Sequence, residues 1–249
     1  MFLSGGSSAK KGKEVIKNVY YFSEDAMLDC NQYCILDQES GEITLFDAGN
    51  GVSLKALLAG MKNLGLEFEN ITKVFLTHEH VDHVLGLYPL MKLMNKDPPQ
   101  IFAYGKTAEI LNNGEESKIF PTALGITPKM FGLEIIPLKV FDLKQQSEIK
   151  INTEFIFQIH YTPGHSLGSV SYYEPSKKIL IPGDLVFCGG SFGRYDFPGG
   201  SLTTLQNSIK YVNNLDVKYL LPGHMGISES GNQQIEFSCR MVMSIRDFF

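Results

Sequence analysis

Between residues 78 and 83 the chain reads His78-Glu79-His80-Val81-Asp82-His83, which sets four potential metal ligands within six residues. Neutral imidazole and carboxylate form the donor set that Zn²⁺ prefers and that Fe²⁺ or Mn²⁺ also accept. On an extended backbone His78 and His80 fall on the same side and can grip one ion. Asp82 and His83, where the chain turns toward a helix, can serve a second position beside it. Three more candidates stand downstream, each after an apolar run: His165 in Thr162-Pro-Gly-His165, Asp184 in Ile181-Pro-Gly-Asp184 and His224 in Leu221-Pro-Gly-His224. Pro-Gly alone signals only a turn. Its recurrence before His, Asp and His, in order and after separate strands, makes metal binding the expectation. Seven ligands exceed what one tetrahedral ion takes, so two divalent ions are implied. Two ions sharing a water lower its pKa from 15.7 toward ~7, which supplies a metal-bridging hydroxide as nucleophile at neutral pH.

The elements that must carry these residues follow from the apolar pattern. Short strand-like runs end at Val19–Tyr21, at Tyr33–Leu36 and at Ile43–Phe46, the last two separated by the polar turn Gln38–Gly41. Leu54, Leu57, Leu58, Met61 and Leu64 recur at three and four residues, an amphipathic helix stopped by Gly65. Lys73–Leu76 is a buried strand that runs straight into Thr77 and His78. A helix then takes Leu87, Leu90, Met91 and Met94, with Pro89 tolerable only in its first turn. Ile101–Tyr104, Phe155–Tyr161, Ser169–Tyr173, Lys178–Ile181 and Lys218–Leu221 read as strands. Thr107–Asn112, Leu202–Val212 and a segment from about Asn232 read as helices. Residues 113–137, punctuated by Gly114, Pro121, Gly125, Pro128 and Gly132, read as loop, and their role is not legible. Residues 1–13 are Gly/Ser/Lys-rich and read as a flexible tail, leaving residues 14–249 as a single domain.

Composition sets the outer bounds. The chain has 249 residues, 43% hydrophobic and 20% charged, enough for a sizeable core. No run approaches the roughly 18 apolar residues of a membrane helix, and the start lacks a secretory h-region, so a soluble cytoplasmic protein is expected. The formal charge of −5 argues against a phosphate-backbone partner, and a small molecule is the expected one. Oligomeric state is not legible. Cys30 and Cys34 are placed in one strand, where ~13 Å between Cα atoms exceeds the ~7 Å limit for a bridge, so reduced thiols are expected.

His78-Glu79-His80-Val81-Asp82-His83, followed by a downstream His, Asp and His, resembles the hallmark of the metallo-β-lactamase superfamily, and the resemblance covers essentially everything after the tail. It implies an α/β fold, an αββα four-layer sandwich with the metal site at one edge between two sheets. It also implies His78, His80 and His165 around a first metal, Asp82, His83 and His224 around a second, and Asp184 bridging both. Class B β-lactamases of the common zinc subclasses carry Cys where Asp184 stands, so antibiotic hydrolysis is not the favoured activity. The segment Gly183–Gly200, with Gly193-Arg194-Tyr195-Asp196, resembles glyoxalase II-like hydrolases and persulfide dioxygenases. A hydroxyacylglutathione-hydrolase-like thioesterase is therefore the leading expectation. A mononuclear-iron persulfide dioxygenase, a lactone hydrolase and, least favoured, a ribonuclease are its rivals. Only 25 residues follow His224, too few for the helical C-terminal domain that contacts glutathione in full-length glyoxalase II.

Further roles are assigned by position. Asp82 is the catalytic candidate, orienting the bridging hydroxide. Asp47, at a strand end in Phe46-Asp47-Ala-Gly, is expected to orient the metal loop, or to form an Asx turn. Arg194 is expected to bind a substrate carboxylate, or to pair with Asp196. Glu79, alternating away from its neighbours, is read as solvent-exposed or paired. Thr77 and Ser166 are weaker orienting candidates, and His160 is structural.

Overall fold

The computed structural model describes residues 9–25, 28–94, 96–120, 125 and 127–245. Two sheets form its centre. The first runs in chain order through β1 (Gly12–Ile16), β2 (Val19–Phe22), β3 (Gln32–Leu36), β4 (Ile43–Phe46), β5 (Ile71–Phe75), β6 (Gln100–Ala103) and β7 (Val140–Asp142). Pairing is antiparallel as far as β4 and parallel from there to β7. The change follows from the connections: turns join β1–β2 and β3–β4, whereas helices make the crossovers that parallel strands require. These are α1 (Leu54–Asn63), then α2 (Val81–Val84) with α3 (Leu87–Leu93), then α4 (Lys106–Asn113) with α5 (Glu116–Ile119).

The second sheet holds β8 (Glu148–Lys150), β9 (Ile156–Tyr161), β10 (Val170–Glu174), β11 (Ile179–Ile181) and β12 (Tyr219–Leu220), in the order β12-β11-β10-β9-β8. α6 (Leu202–Val212) carries the parallel crossover from β11 to β12, and α7 (Gly231–Ser244) follows.

Strand periodicity sorts side chains into three buried layers. Ile43 and Leu45 of β4 face Leu57 and Met61 of α1, while Phe46 turns the other way, into the space between the sheets. There it meets Phe157 and Tyr172, each with its ring centroid 5.3 Å away. On β11, Ile179 and Ile181 join this central layer, and Leu180 packs outward with Leu205, Ile209 and Val242 of α6 and α7. The result is the αββα sandwich that the resemblance implied.

The expected helices at Leu54, Leu87 and Leu202 form, and Pro89 does lie in the first turn of α3. β7 and β8 escaped the sequence reading, because three residues at a sheet edge carry too little alternation to register. Within residues 113–137 the structure holds α5 and a 3-10 turn at Pro128–Phe131, while Pro121 lies outside the described residues. Cys30 precedes β3 rather than lying in it, and all four cysteines are free. No helix among the described residues is long and apolar enough to cross a membrane.

The expected tail is corrected at its inner end; residues 1–8 lie outside the described ones. Gly12 and Lys13 open β1, and Lys10 is buried, its ammonium 2.6 Å from Asp29, 2.7 Å from Gln32 Oε1 and 3.2 Å from the Cys30 carbonyl. A Gly/Ser/Lys-rich composition reports average solvation and cannot show that one lysine has a matched acceptor site. Lys10→Met should cost about 3–5 kcal/mol, because it strands a buried carboxylate, and urea denaturation monitored by circular dichroism measures the loss.

Candidate metal centre

The clustered residues occupy the segments that follow β4, β5, β9, β11 and β12 at one edge of the sandwich, Asp82 and His83 standing in α2 and the others in loops. His78, His80 and His165 form one group and Asp82, His83, Asp184 and His224 a second, the candidate ligand atoms in each lying within 4.8 Å of one another. In the first, His165 Nε2 stands 2.8 Å from His80 Nδ1 and 3.2 Å from His78 Nε2. In the second, His224 Nε2 is 3.1 Å from Asp82 Oδ2 and 3.2 Å from Asp184 Oδ2. Ligands held 2.0–2.1 Å from a tetrahedral ion would stand roughly 3.3 Å apart, close to these separations.

Two further observations fit a cation. His83 Nε2 and Asp184 Oδ1 are buried and lie 3.2 Å apart without hydrogen-bond alignment, and neither has a hydrogen-bond partner among the described residues. The Pro-Gly before His224 is required by close approach: a Cβ on Gly223 would sit 2.2 Å from Asp184 Oδ1 and 2.8 Å from the His83 ring. Asp184 also spans the two groups, because Oδ2 lies 3.6 Å from His165 Nε2.

The rings are oriented from behind. Asp47 Oδ1 accepts from Thr77 N and Oδ2 from Thr77 Oγ1, both at 2.8 Å, and Oδ2 also lies 2.8 Å from His83 Nδ1. Asp47 adopts φ 57°, a left-handed conformation that these bonds hold in place. With its own hydrogen given to Asp47, Thr77 Oγ1 accepts from His78 Nδ1 at 3.1 Å. His165 Nδ1 donates to the Arg194 carbonyl at 2.6 Å, and His224 Nδ1 donates to Glu24 Oε2 at 2.8 Å. In these four rings Nδ1 is engaged by an acceptor, so Nε2 is the atom turned to the cluster and offers its lone pair when the ring is neutral.

Electrostatics separates the two groups. Burial, with neighbouring imidazoles adding to it, holds His78 well below the usual range and lowers His165 to about 4. Burial also lowers His80. These three are neutral near pH 7. Burial opposes a charge on His83 too, but the acidic groups around it, Cys30, Asp184, Asp47 and Asp82, outweigh that and raise it well above the ordinary value. His224 is raised in the same way, burial being overcome by Asp184, Asp82 and Glu24.

Glu79 corrects the outward reading in part. It is buried, and its Oε2 accepts from Thr107 Oγ1 at 2.8 Å and Ser166 Oγ at 2.9 Å, tying the metal loop to α4 and to the loop of His165. Arg194 and Asp196 pair at 2.7 Å, both more than half exposed, and the guanidinium lies 4.4 Å over the Phe197 ring. His160 bonds Tyr211 at 2.8 Å, away from the cluster. Glu24 and Asn31 were not foreseen. Asn31 Nδ2 donates to the carbonyls of Pro222 and Met225 at 2.9 and 2.8 Å, bracketing His224. Their separation of about 200 residues from that loop leaves no local signal. A cavity of 350 Å³ opens over the cluster, walled by apolar Leu28, Phe187, Phe192, Phe197 and Met225, with Arg194 at its rim.

An αββα sandwich with a His/Asp cluster of this geometry at the edge between its sheets defines a metallo-hydrolase. The chain belongs to the metallo-β-lactamase superfamily, whose family profile matches residues 27–224. It is 32% identical over 207 residues to the "Probable metallo-hydrolase" of Methanocaldococcus jannaschii, covering 80% of this chain and 89% of that one. It is 31% identical over 169 residues to the hydroxyacylglutathione hydrolase GloC of Haemophilus influenzae, covering 66% of this chain and 74% of GloC. Among solved structures it resembles TTHA1623 in a di-iron-bound form, with TM-score 0.63 and 29% identity over 84% of this chain and 94% of that one. The BLEG-1 B3 metallo-beta-lactamase superposes with TM-score 0.67 and 26% identity over 86% of this chain and 95% of its own.

Proposed function

We propose that this protein is a thioester hydrolase that works with two divalent ions, zinc for preference, and with iron or manganese as acceptable substitutes. The observation that carries the reading is the placement of Asp184, whose two oxygens face His83, His224 and His165 and so join both ligand groups. His78, His80 and His165 would hold one ion, Asp82, His83 and His224 the other, and Asp184 both. Ions bound there supply a water of pKa near ~7 and a Lewis acid for the substrate carbonyl. Asp82, with Oδ2 toward His224, accepts a hydrogen bond from the attacking water and fixes its direction. The apolar walls exclude bulk water from the acyl group, and Arg194 attracts a substrate carboxylate. Water loses its protons as its oxygen bonds to the carbonyl carbon, the C–S bond breaks with its electron pair leaving on sulfur, and the products are a carboxylate and a thiolate that takes up a proton from solvent. A thiolate departs without a proton donor, which favours thioesters over amides. The acidic balance supports a small-molecule substrate rather than nucleic acid, and four free cysteines suit a reducing cytoplasm.

Metal analysis of the purified protein, combined with assays on S-lactoylglutathione, a homoserine lactone and glutathione persulfide, tests this. About two equivalents of metal with thioester turnover are expected. One equivalent of iron with persulfide-dependent oxygen uptake and no thioester hydrolysis would overturn it in favour of a dioxygenase. The opposed ring states predict an asymmetric titration. Burial disfavours the charged form of His78, His80 and His165, so their group should release fewer protons on taking a cation and depend less steeply on pH between pH 6 and 8. His83 and His224 must each release a proton, so affinity at their group should rise with pH over the same range. Calorimetric titrations in buffers of different ionisation enthalpy separate the two events.

A further inference from the structure

The cavity over the cluster does not end at Phe197. His80 and Phe197, which wall it, also line a second hollow of 120 Å³. Lys106 and Leu167 line that hollow and also a third, of 650 Å³, between the start of α4 and residues 142–144. The three hollows adjoin in a row leading away from the cluster, each sharing two lining residues with the next, and this row is referred to as the trough. At 350 Å³ the first is at the small end for a ligand cavity and suits an acyl group and its sulfur.

The far trough has different chemistry. Tyr104 and Tyr161 stack with centroids 5.2 Å apart and make an aromatic wall, half of Tyr161 being exposed. Lys118 lines the second hollow and Lys144 the third, and neither has an ion-pair partner among the described residues. Lys106 is taken by Glu109 at 2.6 Å. Two other carboxylates line these hollows: Asp142 is occupied by the backbone amides of Gly105 and Lys144 at 2.7 and 2.9 Å, and Glu79 accepts from Thr107 and Ser166. Available ammonium groups beside an aromatic wall match phosphates followed by a planar base, since lysine binds phosphate as a point charge and bases stack on aromatic rings. A glutathione tail carries no ring for that wall.

Resting on the thioesterase reading, we propose that the trough receives the nucleoside diphosphate tail of a coenzyme A-type thioester, its phosphates on Lys118 and Lys144 and its base against Tyr104 and Tyr161. Two measurements on the metal-loaded protein test it. In the first, kcat/KM for acetyl-coenzyme A is compared with that for S-acetyl-N-acetylcysteamine, which has the same reacting end and no nucleotide. The expected preference for the coenzyme A ester is 10-fold or more. It should collapse toward unity in Lys118→Ala/Lys144→Ala and persist in Lys17→Ala/Lys218→Ala, a control that removes equal charge outside the trough. In the second, calorimetry follows desulfo-coenzyme A, which lacks the metal-seeking thiol, and affinity should fall at least 10-fold in the Lys118/Lys144 variant. Equal kcat/KM for the two esters, or binding that the variant does not weaken, overturns the proposal. Binding that depends on the two lysines without hydrolysis of any thioester supports the trough and refutes the thioesterase reading instead.

Discussion

Asp184→Asn is expected to reduce thioester turnover by at least about 10³-fold, equivalent to about 4 kcal/mol of transition-state stabilisation, and to lower bound metal below two equivalents. The side chain keeps its shape, so the fold should survive. What changes is charge. Asp184 faces His83 and His224 at 3.2 Å and His165 at 3.6 Å, and among the described residues no other carboxylate forms ion pairs with both ligand groups. An amide offers one neutral oxygen and an NH₂ that repels a cation, so two ions held as proposed would lose the ligand that joins them. Steady-state kinetics and metal analysis on the same preparation, with circular dichroism to verify folding, measure the outcome. A variant that kept wild-type turnover and both metals would refute the bridging role.

The second large effect is expected at Asp47, which is not itself among the proposed ligands but holds three hydrogen bonds on two residues of the metal loop, Thr77 and the candidate ligand His83. Asp47→Ala leaves the buried Thr77 amide and His83 Nδ1 without acceptors, at about 1–3 kcal/mol each. It also puts alanine at φ 57°, a conformation that Asp tolerates better. Metal affinity should fall about 10–100-fold, as when the partner behind a ligating histidine is removed. Asp47→Asn separates the two roles. Its oxygen can still accept from the Thr77 amide and its backbone still tolerates the left-handed turn, so most stability should return. Its NH₂ cannot accept from His83 Nδ1, so metal affinity should stay low. Equal recovery of stability and affinity in Asp47→Asn would mean that Asp47 only shapes the turn.

Legibility varied with the range of the interaction that decides each feature. The helices at Leu54 and Leu202 showed in the sequence because one face of each must be apolar at a period of 3.6 residues, and that face then packed as expected. The three-residue strands β7 and β8 did not, because their pairing depends on the neighbouring strand rather than on their own alternation. Glu79 shows the limit most directly. Alternation along residues 78–80 correctly separates it from the two histidines, but what fills the space on its side, Thr107 and Ser166, comes from α4 and from the loop after β9.

The residue types and spacing of His78, His80, Asp82 and His83, with His165, Asp184 and His224 each behind a strand and a turn, determined by themselves that this chain carries a cluster of candidate metal ligands. That information is local: imidazole and carboxylate are ligands wherever they stand, and two residues apart on extended backbone they share a side. Only the tertiary structure decided how the cluster is held and what lies beside it. Glu24 reaches His224, Asn31 brackets the same loop, Lys10 is buried against Asp29, and the trough from Phe197 leads past Lys118 to Lys144. Each of these depends on how two sheets and their crossovers set distant segments side by side, and a contact between residues as much as 200 positions apart leaves no trace in the spacing of either partner.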